Sequence, residues 1–207
     1  PTESHFETGR LMPIGTPGHI LGTDGQSRDI LSRLLWGGRV SIPIAVLPVI
    51  FSALLGLILG LTAGMSKRYI SEIIMRFQDV LFAFPPVLLA IAMATVLGPG
   101  MMNVMLAISV VVIPFMTRVV YVETLSIRSK EYIEAARASG TPTFRLLVSE
   151  VIPNVLPPLI VYSTTTIGGL IVLASGLSFL GVGIQPPTSD WGIMTAEGRT
   201  VLRTAPH

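Results

Sequence analysis

A serine flanked by glycines, in the segment Gly176-Leu-Ser178-Phe-Leu-Gly181, has some features of the turn that exposes a catalytic nucleophile. Its spacing differs from Gly-x-Ser-x-Gly, and a serine nucleophile also needs a base within hydrogen-bond reach. The histidines are His5, His19 and His207, and all three lie outside the apolar stretches of the sequence. We therefore predict that Ser178 serves helix packing and that the chain carries no catalytic residue.

The residues that other common kinds of functional site require are also absent from this sequence. The sequence contains no Gly-x-x-x-x-Gly-Lys-Ser/Thr loop to hold nucleotide phosphates, so no ATP site is expected. The absence of cysteine excludes thiolate nucleophiles and cysteine metal sites, and other metal-ligand spacings are absent as well. No carboxylate lies in the middle of an apolar stretch, as a proton relay would need. We therefore expect no cofactor and no metal. The remaining possibility is a passive pathway that a partner protein moves.

The longest polar-rich segment between two apolar regions covers residues 131–158 and predicts two short helices. Gly140 stands where a left-handed residue would end the first helix, and Thr141 and Pro142 follow as N-cap and first helical residue. The second helix is predicted to end before Pro153. Its predicted apolar face consists of Phe144, Leu147, Val148 and Val151. A helix–glycine–helix corner with one apolar face and mixed charges is typical of a surface that docks into another protein.

The composition indicates a membrane protein. Hydrophobic residues make up 50% of the 207 residues and charged residues only 13%, whereas soluble domains have about 25% charged residues. The mean hydropathy is +0.70, and the net charge of +2 is too small to indicate nucleic-acid binding. We predict an all-α, polytopic transmembrane helical bundle.

Four membrane spans fit this length. We place them at about residues 40–64, 79–97, 101–122 and 154–180. Residues 1–39 are predicted to be an external loop with an amphipathic helix at 29–36, residues 123–153 a cytoplasmic loop, and residues 181–207 an external tail.

Prolines within the spans predict irregular backbone. Pro85-Pro86 predicts a kink or a late start of the second span, because a proline disfavours helical conformation in the residue before it. Pro43 and Pro48 predict an irregular first half of the first span.

Small and polar residues within the spans have two interpretations each. Gly56, Gly60 and Gly64 form a ridge of small residues that lets a neighbouring helix approach closely, or they form a hinge. Arg118 either extends its head group to the membrane surface or, with Glu123, anchors an inner gate. The hydroxyls of Thr164, Thr165 and Thr166 either join helices or line a polar pathway.

The distribution of basic residues predicts the orientation of the chain. Eight Lys and Arg residues lie within 65–78 and 118–150, whereas the tail at 181–207 has two. Because positive residues favour cytoplasmic loops, the corner is predicted to face the cytoplasm. Four further basic residues precede the first span and weaken this argument.

Several motifs carry a resemblance to a known family. Glu134-Ala135-Ala136 is followed three residues later by Gly140, and Pro153 stands thirteen residues beyond that glycine. The further motifs are Gly22-Thr23-Asp24, Arg28 to Arg33, Phe84-Pro85-Pro86, Gly98-Pro99-Gly100, Leu177 to Gly181, Gln185-Pro186-Pro187 and Trp191-Gly192. Together they resemble permease subunits of ATP-binding-cassette importers of the dipeptide and oligopeptide branch, over nearly the whole chain. Three positions depart from the pattern. Glu150 and Ile152 stand where many family members carry Ile and Leu before the proline, and Ser27 stands where a glycine is usual.

The resemblance implies the importer permease fold and a corner that docks into a groove of a cytoplasmic ATPase subunit. The residues implied to couple the chain to the ATPase are Glu134, Ala135, Ala136, Gly140, Thr141, Pro142, Phe144 and Pro153. The implied partners are two ATPase subunits, a second homologous permease subunit, an external solute-binding protein and the lipid of a bacterial inner membrane. Family members normally have one more span before and one after the region seen here, so we expect this chain to lack them.

A second function class is a membrane scaffold whose corner binds a cytoplasmic partner without moving solute. An ATPase contact together with solute flux would distinguish the two. The sequence does not select among peptide, nickel-chelate, glutathione and sugar substrates, because importers of this branch share these motifs.

Overall fold

The computed structural model describes residues 9–205, and its secondary structure is helical. The helices are α1 (Ile30–Met65), α2 (Arg68–Phe82), α3 (Pro86–Leu97), α4 (Met101–Arg128), α5 (Glu131–Ala138), α6 (Thr143–Leu146), α7 (Ile152–Phe179) and α8 (Trp191–Val201). A π-helical turn, Leu147–Val151, joins α6 to α7. Residues 9–205 contain isolated β-bridges but no strand. The predicted all-α class is confirmed.

Three helical stretches are long and apolar enough to cross a membrane. They are Ile30–Met65, Met101–Arg128 and Thr143–Phe179. Helices α2 and α3 meet the same criterion only as a pair, and they are bent by 87° at their junction. The described residues therefore supply three spans, or four if the bent pair counts as one.

Helix α1 is continuous, whereas the sequence predicted a separate helix at 29–36 and an irregular stretch at Pro43 and Pro48. The helix continues through Gly37, and the Trp191 indole packs onto this part of α1. A Cβ atom at Gly37 would lie 3.0 Å from Trp191 Cδ1. Each proline removes one N–H donor, but the helix continues through both.

The helix is interrupted within the predicted span 79–97, at the Pro85-Pro86 pair where a kink or a late helix start was expected. The helix ends at Phe82, and a new helix begins at Pro86. A late helix start was one of the two outcomes expected for Pro85-Pro86, and it follows from the restriction that Pro86 places on the residue before it. The twelve residues of α3 reach only about 18 Å, which is less than the hydrocarbon thickness of a bilayer.

The helix after the corner does not end before Pro153 as predicted. It passes through the π-helical turn Leu147–Val151 directly into α7. Pro153 cannot donate to the carbonyl four residues earlier, and the wider π-helical turn before it accommodates this missing bond. At the other side of the corner, α4 runs to Arg128, so much of the predicted loop at 123–153 is helical.

Helix α8 lies within residues 181–207, where the sequence predicted an external tail. Asp190 is its N-cap, and the Asp190 carboxylate accepts the backbone N–H of Gly192 at 3.1 Å. The sequence analysis did not recognise Asp190 as an N-cap, because the surrounding glycines and prolines are typical of a loop. Residues 1–8 and 206–207 lie outside the described residues, and so do His5 and His207.

The described chain forms two compact units. The first comprises residues 9–46, 91–107 and 169–205, and the second comprises residues 47–90 and 108–168. In the second unit, the Ser52 hydroxyl of α1 donates to the Ser109 carbonyl of α4 at 3.1 Å, in a buried position. The second unit also contains the corner and the predicted pathway residues.

Candidate functional site

The corner between α5 and α6 turns at Gly140, whose φ is +82°. The Gly140 N–H donates to the Arg137 carbonyl at 2.9 Å, and the Thr141 N–H donates to the Ala136 carbonyl at 3.1 Å. These bonds form a Schellman motif, in which a left-handed residue satisfies the last carbonyls of a helix. A Cβ atom at Gly140 would meet nothing within 4 Å, so backbone conformation rather than space requires the glycine.

Helix α6 begins one residue later than predicted. Pro142 has an extended ψ of 144° and is the N-cap, the position predicted for Thr141. Thr141 is instead engaged in the turn that closes α5. The Pro142 carbonyl accepts the N–H groups of Arg145 and Leu146 at 3.0 and 3.2 Å.

The predicted apolar face contains two exposed residues, Phe144 and Val148, the half-buried Leu147 and the buried Val151. The buried residues are Ile133, Leu146 and Val151. Leu146 and Val151 are five residues apart, so both face the same side across the π-helical turn. The exposed Phe144 and Val148 leave part of the predicted apolar face available to a partner protein.

Glu134, Ala135, Phe144 and Val148 are exposed residues of the corner, and we call these four residues the corner surface. Phe144 is 76% exposed. The Glu134 carboxylate has no ion-pair or hydrogen-bond partner within residues 9–205. Exposed apolar side chains and an unpaired carboxylate are features of a surface that a partner protein can cover.

The three glycines of the predicted ridge face α4 at backbone distance. A Cβ atom would lie 2.6 Å from Met116 at Gly56, 2.6 Å from Val120 at Gly60 and 2.5 Å from Thr124 at Gly64. Real side chains do not approach so closely, so any larger residue would force α1 and α4 apart.

Arg128 closes the end of this helix pair that lies nearest to the corner. Its guanidinium donates to the Gly64 carbonyl at 3.0 Å. Gly64 lies in the last turn of α1, where carbonyls lack helical partners and carry partial negative charge. Arg128 stands three residues before Glu131, the first residue of α5, so a short link joins the corner to the helix pair.

Arg118 is held by α2. Its guanidinium donates to the Asp79 carboxylate at 2.7 Å and lies 4.6 Å from the centre of the Phe82 ring. The Phe82 ring makes an edge contact with Phe115 at 4.7 Å. The side chains of Arg118 and Asp79 are 49% and 46% exposed, so this ion pair is open on one side.

The hydroxyls of Thr164, Thr165 and Thr166 donate to carbonyls of α7 itself. Thr164 donates to Val161 at 2.9 Å, and Thr166 donates to Tyr162 at 2.7 Å. Thr164 and Thr165 are exposed, and in the described part of the chain none of the three bonds to another helix. Their exposure is compatible with the predicted polar pathway.

Sequence reasoning missed an ionic cluster in the first unit. Arg28 and Arg33 are buried, and each pairs with Asp24 and Glu197 at 2.6 to 2.8 Å. Burial alone would raise the pKa of Asp24, but the backbone N–H groups of Arg28 and Gln26 and the Arg28 guanidinium hold that pKa below its usual value. Glu197 is 164 residues from Arg33, so no local pattern could have revealed the pairing.

A second missed cluster fixes the start of α8. The Ser41 hydroxyl donates to Asp190 at 2.6 Å, and the Trp191 N–H donates to the Ser41 hydroxyl oxygen at 3.2 Å. The Trp191 indole N–H donates to the Leu34 carbonyl at 3.0 Å. The Trp191-Gly192 motif was visible in the sequence, but its partners on α1 were not.

Comparisons with known proteins agree on one family. A family described as the binding-protein-dependent transport system inner membrane component matches residues 56–204. The glutathione transport system permease protein GsiD of Pectobacterium atrosepticum is 40% identical over 99% of this chain and 68% of that protein. The di/tripeptide transport system permease protein DppC of Pseudomonas aeruginosa is 40% identical over 90% of this chain and 61% of that protein.

A solved structure shares the fold. The inward-facing MetNI methionine ABC transporter matches with a TM-score of 0.70 and 17% identity, over 83% of this chain and 82% of that one. The likeness supports the predicted importer permease fold.

Proposed function

The chain belongs to the family of inner membrane components of binding-protein-dependent transport systems, and we propose that it forms a solute pathway and couples that pathway to ATP hydrolysis by partner subunits. It is a multi-pass permease of the inner membrane. ATP binding and hydrolysis belong to ATPase subunits on the cytoplasmic side. A second homologous permease subunit and an external solute-binding protein complete the importer.

The observation that carries this proposal is the corner surface. Ile133, Leu146 and Val151 are buried, which fixes the corner to the body of the chain, while Phe144 and Glu134 are exposed. A rigid corner with an exposed aromatic anchor is suited to a groove on a moving partner. Glu134 pairs with a basic group of that partner, and Ala135 and Ala136 allow close approach.

Coupling needs a route from the corner to the membrane-spanning helices. Arg128 joins the segment before α5 to the end of α1 through its bond to Gly64. The glycine ridge then holds α1 against α4. Closure of the ATPase subunits pushes the corner, and this helix pair moves as one body between inward-open and outward-open states.

The pathway is lined by polar groups in the second unit. Thr164 and Thr165 are exposed on α7, and the Arg118–Asp79 pair is open on one side. Such groups are expensive in lipid, and water or solute next to them removes that cost.

The transported solutes are short peptides. One relative is named for di- and tripeptides and another for glutathione, a tripeptide derivative. Short peptides share a free carboxylate and a free amino group.

Gly140→Val tests the coupling role. Valine is strained at φ +82°, so the substitution distorts the corner without filling any space, and we expect ATPase activity without dipeptide uptake in reconstituted vesicles. The matched control is Gly98→Val, because Gly98 has φ +83° and equally open surroundings but lies outside the corner. Normal uptake by the Gly140→Val importer would contradict the proposal, and assembly with an ATPase but no uptake by the unmodified importer would favour a scaffold.

A further inference from the structure

A cavity of about 330 Å³ lies between α4 and α7 in the second unit, and we call it the Arg118 cavity. Its walls are formed by Phe115, Arg118, Val119, Val122, Glu123 and Tyr162. The wall thus combines a cation, a carboxylate, a phenol and apolar surface. Its volume is at the lower end of the range for small-molecule sites.

Contacts with α2 hold the Arg118 guanidinium in place. Asp79 holds one nitrogen of the guanidinium at 2.7 Å, and the Phe82 ring supports the guanidinium plane at 4.6 Å. A guanidinium has five N–H donors, so the bond to Asp79 leaves donors for a further acceptor. Because the side chain is already fixed, a ligand that binds it orders little additional structure.

Glu123 and Tyr162 reach the same cavity without partners of their own. Neither the Glu123 carboxylate nor the Tyr162 hydroxyl has a hydrogen bond or ion pair to any residue from 9 to 205. Both side chains are partly buried. Ionisable groups in membrane-spanning helices are costly unless they serve a ligand or a partner.

We propose that the Arg118 cavity binds a zwitterionic solute, with the carboxylate on Arg118 and the ammonium group on Glu123. Both residues belong to α4, and the side chains of both line the same cavity. The apolar side chains of Phe115 and Val119 then contact the body of the solute. This inference rests on the proposed function and names a solute subsite within that pathway.

The sequence contains no cysteine, so a single introduced thiol can report on the cavity. In the assembled importer, Val119→Cys places this thiol on the cavity wall, and its rate of modification by a water-soluble maleimide is measured. We expect dialanine to slow the modification, and dialanine amide to need about a tenfold higher concentration for the same effect, because it lacks the carboxylate. Ser126→Cys, exposed on α4 outside the cavity, should be unaffected by either peptide.

Charge variants in the Val119→Cys background complete the test. Arg118→Gln should abolish the preference for the free acid, Arg118→Lys should retain part of it, and Arg76→Gln, an exposed arginine of α2, should leave it unchanged. Co-purification with the ATPase confirms that each variant is assembled.

Equal protection by the acid and the amide, or no protection, overturns the inference. An acid preference that persists in Arg118→Gln overturns it as well. Dialanine uptake is measured on the same preparation. Uptake without protection contradicts the cavity assignment alone, whereas an assembled importer without uptake contradicts the proposed function.

Discussion

At the scale of single residues, Ser27 has an unfavourable backbone conformation. Its φ is +59°, its side chain is fully buried, and its hydroxyl has no hydrogen-bond partner in the described chain. A left-handed conformation costs a residue with a Cβ atom roughly 1–2 kcal/mol. The sequence resemblance places a glycine at this position, and the structure supplies the reason for that preference.

We expect Ser27→Gly to raise the thermal unfolding midpoint of the purified protein in detergent. The substitution removes both the strain at φ +59° and the unpaired hydroxyl. Ser27→Ala is the control, because it removes only the hydroxyl and should give the smaller gain. A midpoint for Ser27→Gly below that of the unmodified chain would contradict this interpretation of the backbone.

The sequence predicted the positions of individual site residues better than their contacts. The Glu134-Ala135-Ala136 and Gly140 spacing predicted the position of the corner, because a left-handed glycine between two helices leaves a local signature. Arg118 was recognisable as a charged residue in an apolar stretch. Its contact with Asp79 could not be predicted, because the two residues are 39 positions apart in the sequence. Local chemistry can be inferred from a pattern, whereas a partner on another helix requires the fold.

At the scale of elements, the close contact of α1 and α4 depends on glycine. A Cβ atom at Gly60 would lie 2.6 Å from Val120 and 2.7 Å from the Thr117 carbonyl, whereas one at Gly168 would meet nothing within 4 Å. Alanine improves helix propensity at both sites by up to about 1 kcal/mol. At Gly60 the clash should outweigh that gain, since overpacking costs roughly 1–3 kcal/mol.

Gly60→Ala should therefore lower the thermal unfolding midpoint, while Gly168→Ala should leave it unchanged or raise it. Fluorescence-monitored unfolding of the two variants in the same detergent makes the comparison. Equal effects of the two substitutions would mean that α1 and α4 are not in backbone contact.

The sequence predicted the existence of the long helices better than their boundaries. Apolar stretches identified the helical spans, because a membrane-spanning helix needs about twenty apolar residues. The π-helical turn Leu147–Val151 was not predictable, since its five-residue repeat leaves no clear sequence signal. The α2–α3 break was anticipated at Pro85-Pro86, but its 87° angle depends on tertiary packing.

At the scale of the whole molecule, the proposed function assigns coupling and solute binding to two surfaces. In that proposal the corner surface contacts the ATPase, and the polar groups of the second unit contact the solute. The glycine ridge and the Arg128–Gly64 bond are the contacts through which we propose that the two surfaces are coupled. The family relation carries the general permease role, while the assignment of these residues to coupling and pathway is our proposal.

The most direct test of the coupling claim is a crosslink from the corner surface to the ATPase. A single cysteine replaces Ala135, which is exposed on α5, and the co-expressed ATPase carries one cysteine in its facing groove. The control replaces Ile20, which is exposed. This residue belongs to the N-terminal segment that is predicted to lie on the external side of the membrane, opposite to the ATPase. We predict a disulfide crosslink for Ala135→Cys that changes in yield when ATP is added, and none for Ile20→Cys. Absence of the Ala135→Cys crosslink in an intact complex with a reactive thiol would contradict the account.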